Sequence, residues 1–212
     1  MTVERFEFNP FPVNTYILYD DTNECVIIDA GMILEEEKEE LSSFVEANNL
    51  KIKHLLNTHL HFDHLLGNPF MYKKFGVKTK THEGDLFLLD RVKKQAALFG
   101  VPMQEDEILV DSLLHDGDSV TFGNTTLQVM HVPGHSPGSL VFYSEADQCL
   151  FSGDVLFRGS IGRTDLPGGN YDELLSGIKE KLLVLPESVS VYSGHGPLSS
   201  VRHEKKYNPF LR

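Results

Sequence analysis

Apolar and polar residues alternate over residues 2–8 (TVERFEF), the pattern of a half-buried strand, and Asn9-Pro10-Phe11-Pro12 breaks it. Asn14–Tyr19 and Glu24–Ile28 are apolar runs flanking Asp20-Asp21-Thr22-Asn23, so they read as a hairpin. The period then lengthens. Ile33–Asn48 places Leu34, Leu41, Phe44 and Val45 on one helical face, with a Glu/Lys face outward. Its first turn carries Glu35-Glu36-Glu37, where a helix favours negative charge, and reads as a solvated face. Ile52–Leu56 predicts a buried strand, residues 65–75 a short helix opened around Asn68-Pro69, and Val77–Thr81 another strand. Asp85–Phe99 predicts a helix with Leu86, Leu89, Val92 and Ala96 inward, ended by Gly100-Val101-Pro102. Residues 103–116 are acidic and irregular, with a little strand near Leu109.

The second half repeats this order. Val120–Phe122 and Thr126–Met130 flank Gly123-Asn124, a hairpin signal, and Leu140–Tyr143 and Gln148–Phe151 repeat strand, turn, strand. Tyr171–Leu185 is amphipathic, opened by Asp172 and Glu173 and closed before Pro186. Val189–Tyr192 predicts the last strand and Val201–Tyr207 a final helix. Two similar halves of strands and helices predict an α+β fold, an αββα sandwich: two mixed sheets face to face, with helices on the outer faces. No long linker interrupts the pattern, so residues 1–212 are expected to form one domain.

Charge and composition narrow the function. Nineteen lysines and arginines against 31 acids give a formal charge of −12, the opposite balance to that of a protein that grips a nucleic-acid backbone. No run of eighteen apolar residues exists, so no membrane span is expected. The N-terminus has neither a basic nor an apolar signal region, and Cys25 and Cys149 sit singly in apolar runs as expected for reduced thiols. A cytoplasmic enzyme is the expectation. The sequence carries no signal of oligomeric state.

The chemistry concentrates in Thr58-His59-Leu60-His61-Phe62-Asp63-His64, directly after a predicted strand. In extended chain His59 and His61 point the same way and Leu60 points into the core, while Asp63 and His64 follow a turn and can aim at a second point. Imidazole and carboxylate suit borderline divalent metals such as zinc. Three later motifs also place such residues beside glycine after apolar runs: Pro133-Gly134-His135-Ser136-Pro137-Gly138, Ser152-Gly153-Asp154 and Ser193-Gly194-His195-Gly196. Strand ends feeding donors into one cleft are how a rigid scaffold builds a metal site.

The ordered set H-x-H-x-D-H, G-H-S-P-G, S-G-D and G-H-G resembles the metallo-β-lactamase superfamily, and within it the glyoxalase II-like (hydroxyacylglutathione hydrolase) branch. The resemblance implies that His59, His61 and His135 bind one ion, that Asp63, His64 and His195 bind a second, and that Asp154 bridges them. It implies two zinc ions, with iron or manganese as other possible metals, and hydrolysis of S-lactoylglutathione or a similar small anionic acyl thioester. Asp63 and Asp154 are then the catalytic carboxylates, Asp63 orienting the nucleophile. Asp29 in Asp29-Ala30-Gly31 resembles the family's D-x-G turn, either supporting a ligand loop or acting as a plain turn residue. Arg163 falls where glyoxalase II enzymes contact glutathione with a cation, and Arg158 is a second candidate; either arginine could instead brace its own loop. Of the remaining histidines, His131 lies closest to the motifs and is the candidate to support a ligand. One departure stands out: only 17 residues follow His195, whereas glyoxalase II enzymes add a C-terminal helical domain with further glutathione contacts. The alternative is a persulfide dioxygenase, which shares the fold and uses one iron held by two histidines and an aspartate. Those enzymes carry A-H-D-Y where this chain has Gly194-His195-Gly196.

Overall fold

Each alternating run becomes a strand, and the strands divide between two six-stranded sheets in the computed structural model, which describes residues 1–101 and 107–212. The first sheet takes β1 (Thr2–Phe8), β2 (Val13–Tyr19), β3 (Glu24–Ile28), β4 (Lys51–Leu56), β5 (Thr79–Thr81) and β6 (Val110–Leu113) in chain order. β1, β2 and β3 pair antiparallel through tight turns, whereas β3 to β6 run parallel. Parallel neighbours need a crossover. The helices α1 (Glu35–Ala47), α2 (Asn68–Phe75) and α3 (Leu86–Leu98) lie in those three connections.

The second sheet is built from β7 (Ser119–Phe122), β8 (Thr125–His131), β9 (Leu140–Ser144) and β10 (Cys149–Gly153), all antiparallel. A small hairpin, β11 (Leu156–Phe157) and β12 (Ser160–Ile161), follows, then α4 (Tyr171–Gly177) running on into a π-helical turn, Ile178–Leu182. β13 (Ser190–Ser193) pairs parallel with β10, β14 (Ser199–Ser200) closes the edge, and α5 (Val201–Tyr207) ends the fold.

Three apolar layers hold this together. Between the sheets lie Tyr16, Leu18, Val26, Ile28 and Leu56 from the first sheet and Phe122, Leu127, Leu140, Phe142 and Phe151 from the second. Outside the first sheet, Phe8, Ile17, Ile27 and Leu55 pack on Leu41 and Val45 of α1 and Met71 of α2. Outside the second, Val141, Leu150 and Val191 pack on Leu174, Ile178 and Leu182. This is the αββα sandwich expected from the sequence. Each fully buried Phe, Ile or Leu here contributes about 1.5–3 kcal/mol.

The differences from expectation are local. Leu34 is 54% exposed because α1 starts at Glu35, two residues later than expected, and leaves Leu34 before its first turn. Glu37 is no solvated residue: its carboxylate accepts from Ile33 N and Leu34 N and, at 2.7 Å, from Asn9 N. In α3, Leu86 sits at the first position and is exposed, and Leu88 takes its place inward. β6 begins at Val110, in keeping with the strand expected near Leu109, whereas β5 is two residues shorter at its start than expected. The expected helix ending at Gly100-Val101-Pro102 and the start of the irregular stretch fall partly on residues 102–106, outside the described residues. Both cysteines are free and buried, and among the described residues no helix is long and apolar enough to cross a membrane.

Candidate metal centre

β8, β10 and β13 run the same way, as do β3 and β4, so their C-terminal ends deliver loops to one end of the sandwich. Hydrogen bonds from Leu140 N to Thr58 O and from Asn14 N to Gly194 O, both 2.7 Å, tie the two sheets together there. All seven predicted donors converge at this end. The donor atoms of His59, His61 and His135 lie within 4.8 Å of one another, and those of Asp63, His64 and His195 do likewise. Asp154 stands between the groups: its Oδ2 is 3.5 Å from His135 Nε2 and 3.5 Å from His195 Nε2, and its Oδ1 is 3.5 Å from His64 Nε2.

The rings are aimed by hydrogen bonds on their far sides. His135 Nδ1 lies 2.8 Å from Arg163 O, and His195 Nδ1 lies 3.1 Å from Pro12 O. A carbonyl only accepts, so each Nδ1 carries the proton and each Nε2 turns a lone pair inward. Asp29 orients two more. It accepts from Thr58 N and Thr58 Oγ1 at 2.7 and 2.6 Å and faces His64 Nδ1 at 3.1 Å, while Thr58 Oγ1 meets His59 Nδ1 at 3.0 Å. Its oxygens also lie within 4.8 Å of donor atoms of His59 and His64, but they are taken by those partners, and Asp29 supports both rings from behind. Of the two readings of this turn, the supporting one holds.

A cation fits this arrangement. His64 Nε2 and His195 Nε2 face each other at 3.1 Å, and both lone pairs point into the same gap. His61 Nδ1 and His135 Nε2 do the same at 2.9 Å. Such contacts are repulsive unless a proton or a metal ion sits between them. The buried atoms His59 Nε2 and Asp154 Oδ1 have no hydrogen-bond partner, although buried polar atoms are normally satisfied. Close packing keeps the site open only because position 194 is glycine: a Cβ there would lie 2.3 Å from Asp154 Oδ1 and 2.8 Å from His64 Cε1.

Electrostatics follow from burial and the facing charges. Burial, reinforced by neighbouring imidazoles, lowers His59 well below its usual value and takes His61 down to about 3, so both rings are neutral and able to ligate. For Asp63 and Asp154 burial acts upward, but the histidines outweigh it and hold both carboxylates ionised. For His64 and His195 burial acts downward and is outweighed by Asp154 and Asp63, which raise both. Those raised values stabilise the metal-free fold at low pH, and that contribution is lost as pH rises through them. An entering ion must displace the same protons. Metal affinity is therefore expected to rise by about one to two log units per pH unit below the raised values. Chelator competition at pH 6 and pH 8 measures this, and equal affinities would contradict it.

The predicted substrate arginines behave differently from each other. Arg163 is locked to Asp165 by two 2.7 Å bonds, and its contribution to the centre is the carbonyl that holds His135. Arg158 is exposed, with Leu198 O its only partner among the described residues, at 3.3 Å. His131 touches no donor, but its Nε2 donates to Pro137 O at 2.7 Å, bracing the loop that carries His135, and its ring stacks on His82. Sequence reasoning missed Asp85, read only as a helix start. Fully buried, it accepts from Leu60 N, Ser136 Oγ and Gly138 N at 3.0, 2.7 and 2.6 Å, joining the two loops that bear His59, His61 and His135. It also missed Asn9, whose Nδ2 donates to Gly31 O and Asp63 O, and Asn14 and Tyr16, which hold Ser193 O. Asparagine beside proline in a turn and alternation in a strand gave no separate signal for these.

Comparison with known proteins finds relatives that span the whole chain. The family model for the metallo-beta-lactamase superfamily matches residues 8–195. A hydroxyacylglutathione hydrolase, GloC, of Haemophilus influenzae is 36% identical over 213 residues, covering 100% of this chain and 98% of that protein. The crystal structure of the BLEG-1 B3 metallo-beta-lactamase superposes with a TM-score of 0.89 at 38% identity, covering 99% of each chain. The structure of TTHA1623 in a di-iron-bound form gives 0.87 at 34% identity, covering 99% of this chain and 100% of that one.

Proposed function

The chain belongs to the metallo-β-lactamase superfamily of metal-dependent hydrolases, and from that membership and its paired donor sets we propose that it hydrolyses small acyl thioesters of the S-lactoylglutathione type, using two divalent ions. The observation that carries this is the position of Asp154, equally near His135 on one side and His195 on the other. Zinc is the proposed metal; the di-iron relative keeps iron as the competitor. His59, His61 and His135 would hold one ion, Asp63, His64 and His195 the other, and Asp154 both.

When bound, such a pair supplies positive charge that acidifies water and polarises a carbonyl. The chain's own residues do the rest. Asp63, with its Oδ2 3.5 Å from His195 Nε2, would accept a hydrogen bond from the attacking water and fix its direction. Asp29, Arg163 O and Pro12 O keep the rings from turning as charge develops. The leaving group argues for a thioester. A thiol with a pKa of about 8.5 departs as the anion, with no acid to protonate it. An amine needs a proton donor, and Asp63 and Asp154 are held ionised.

Relatives of known activity support this reading through one hydroxyacylglutathione hydrolase that spans the whole chain. The dioxygenase alternative needs one ion and would leave one complete donor set idle. Metal analysis of protein purified without added metal or chelator, joined to thiol release from S-lactoylglutathione, tests the proposal. Two divalent ions per chain with thiol release are expected. A single iron with oxygen uptake on glutathione persulfide would overturn it.

A further inference from the structure

We propose that Arg5 and Arg158 form an anion clamp beside the metal centre that binds a negatively charged group on the thiol carrier of the substrate, an inference that rests on the thioester reading above. Both guanidinium groups converge on the turn immediately after His195. Arg5 Nη1 donates to Gly196 O and Arg158 Nη1 to Leu198 O, each at 3.3 Å, from elements 153 residues apart in sequence. Among the described residues neither side chain forms an ion pair, although the chain as a whole carries a charge of −12. Glu7, on the same face of β1 two residues on, makes no ion pair with Arg5 either. Arg163 is the contrast: also exposed, it is neutralised by Asp165.

Three further facts make the pair a site and not two braces. Each guanidinium has five donors and the turn takes only one, leaving a fork free for a carboxylate or phosphate. The space over the turn is open, since a Cβ built on Gly196 or on Gly159 would meet nothing within 4 Å. The hairpin that carries Arg158 is also anchored: the buried carboxylate of Glu204 accepts from Gly159 N at 2.9 Å and from Asn208 Nδ2 at 2.8 Å, and bonds Ser199 Oγ. Phe157, next to Arg158, lies 6.4 Å from the His195 ring, so the clamp and the donors share one wall. The ligand class is a thiol carrier bearing a carboxylate or phosphate, with that anion at the clamp and the acyl carbon at the centre.

The test uses metal-loaded full-length protein and thioethers that cannot be hydrolysed: S-methylglutathione (carboxylates), S-methyl-coenzyme A (phosphates) and the uncharged S-methyl-N-acetylcysteamine. Titration calorimetry is expected to show wild type binding an anionic thioether more tightly than the neutral one. Arg5→Gln with Arg158→Gln should weaken that binding by about tenfold or more while metal content stays at the wild-type level. Added salt should erode the wild-type preference and leave the double variant little changed. Preference for the glutathione or the coenzyme A thioether would identify carboxylate or phosphate as the anion, and either supports the clamp. Equal binding of charged and neutral thioethers by wild type, or an equal loss for both in the double variant, would overturn it. Thiol release from S-acetyl-N-acetylcysteamine is scored separately. Its absence, together with absence of release from the charged thioesters, sinks the thioester reading, whereas the binding data alone decide the clamp.

Discussion

Asp154→Ala is expected to lower hydrolysis by about a thousandfold or more and to reduce bound metal below the wild-type stoichiometry in the same protein. No other carboxylate can substitute. Asp154 lies within 3.5 Å of His64, His135 and His195, one from the first donor set and two from the second, and its Oδ1 has no other partner. Among the described residues the Asp63 carboxylate pairs only with His64 and His195, at 3.7 and 3.5 Å, and so serves one set. Removing Asp154 also leaves His64 and His195 facing each other at 3.1 Å without the carboxylate that balances them. Asp154→Asn separates charge from shape. It fills the same volume and can still offer one oxygen, but it cannot neutralise the two proposed cations, so activity should fall nearly as far while the fold is retained. Metal analysis by atomic absorption with circular dichroism on both variants reads the outcome. A variant that keeps full activity and full metal would remove Asp154 from the bridging position.

How much of this could be read from the chain alone depends on range. His59, His61, Asp63 and His64 stand in one short segment, and His135, Asp154 and His195 each sit beside glycine after an apolar run, so their chemistry is local and visible. The alternation of β1 and β8 and the helical period of α1 and α3 are also local, and the sandwich follows from their order. What stays hidden is whatever depends on a distant neighbour. Glu37 looks like one of three solvated acids until Asn9 is found against it, and Asn9 in turn spans to Asp63, 54 residues away. Asn14 and Tyr16 sit in a strand whose pattern explains them fully as sheet residues, yet both meet Ser193 O across the sandwich. Arg163 has two readings in the sequence, a ligand contact or a brace for its own loop, and the choice between them depends on a contact. A cation in a glycine-rich loop suggests a ligand contact, but Asp165 two residues on satisfies it, and the backbone carbonyl is the part that meets the centre.

Asp85→Ala is the substitution away from the donors expected to cost most. Its carboxylate is fully buried and accepts three hydrogen bonds, from Leu60 N, Ser136 Oγ and Gly138 N. Alanine leaves the two backbone donors buried without acceptors; Ser136 Oγ alone keeps another partner, Ser139 Oγ at 2.8 Å. An unsatisfied buried donor costs about 1–3 kcal/mol, so the loss should total about 3–5 kcal/mol. For a chain of this length that lowers Tm by about 10 °C. Asp85→Asn is no mild control, because its amide N–H₂ must face one of the N–H donors; an intermediate loss is expected. The effect should extend beyond stability. Leu60 lies between His59 and His61, and Gly138 lies three residues after His135, so Asp85 sets the spacing of the loops that bring these three rings together. Metal affinity should therefore fall at the set formed by His59, His61 and His135 before it falls at the set containing His195, which Asn14, Tyr16 and Pro12 hold independently. Thermal melts of the metal-free proteins measure the first effect, and stepwise chelator titration of the loaded proteins measures the second. Equal weakening of both steps would mean that Asp85 supports the fold alone and does not set the spacing of the first donor set.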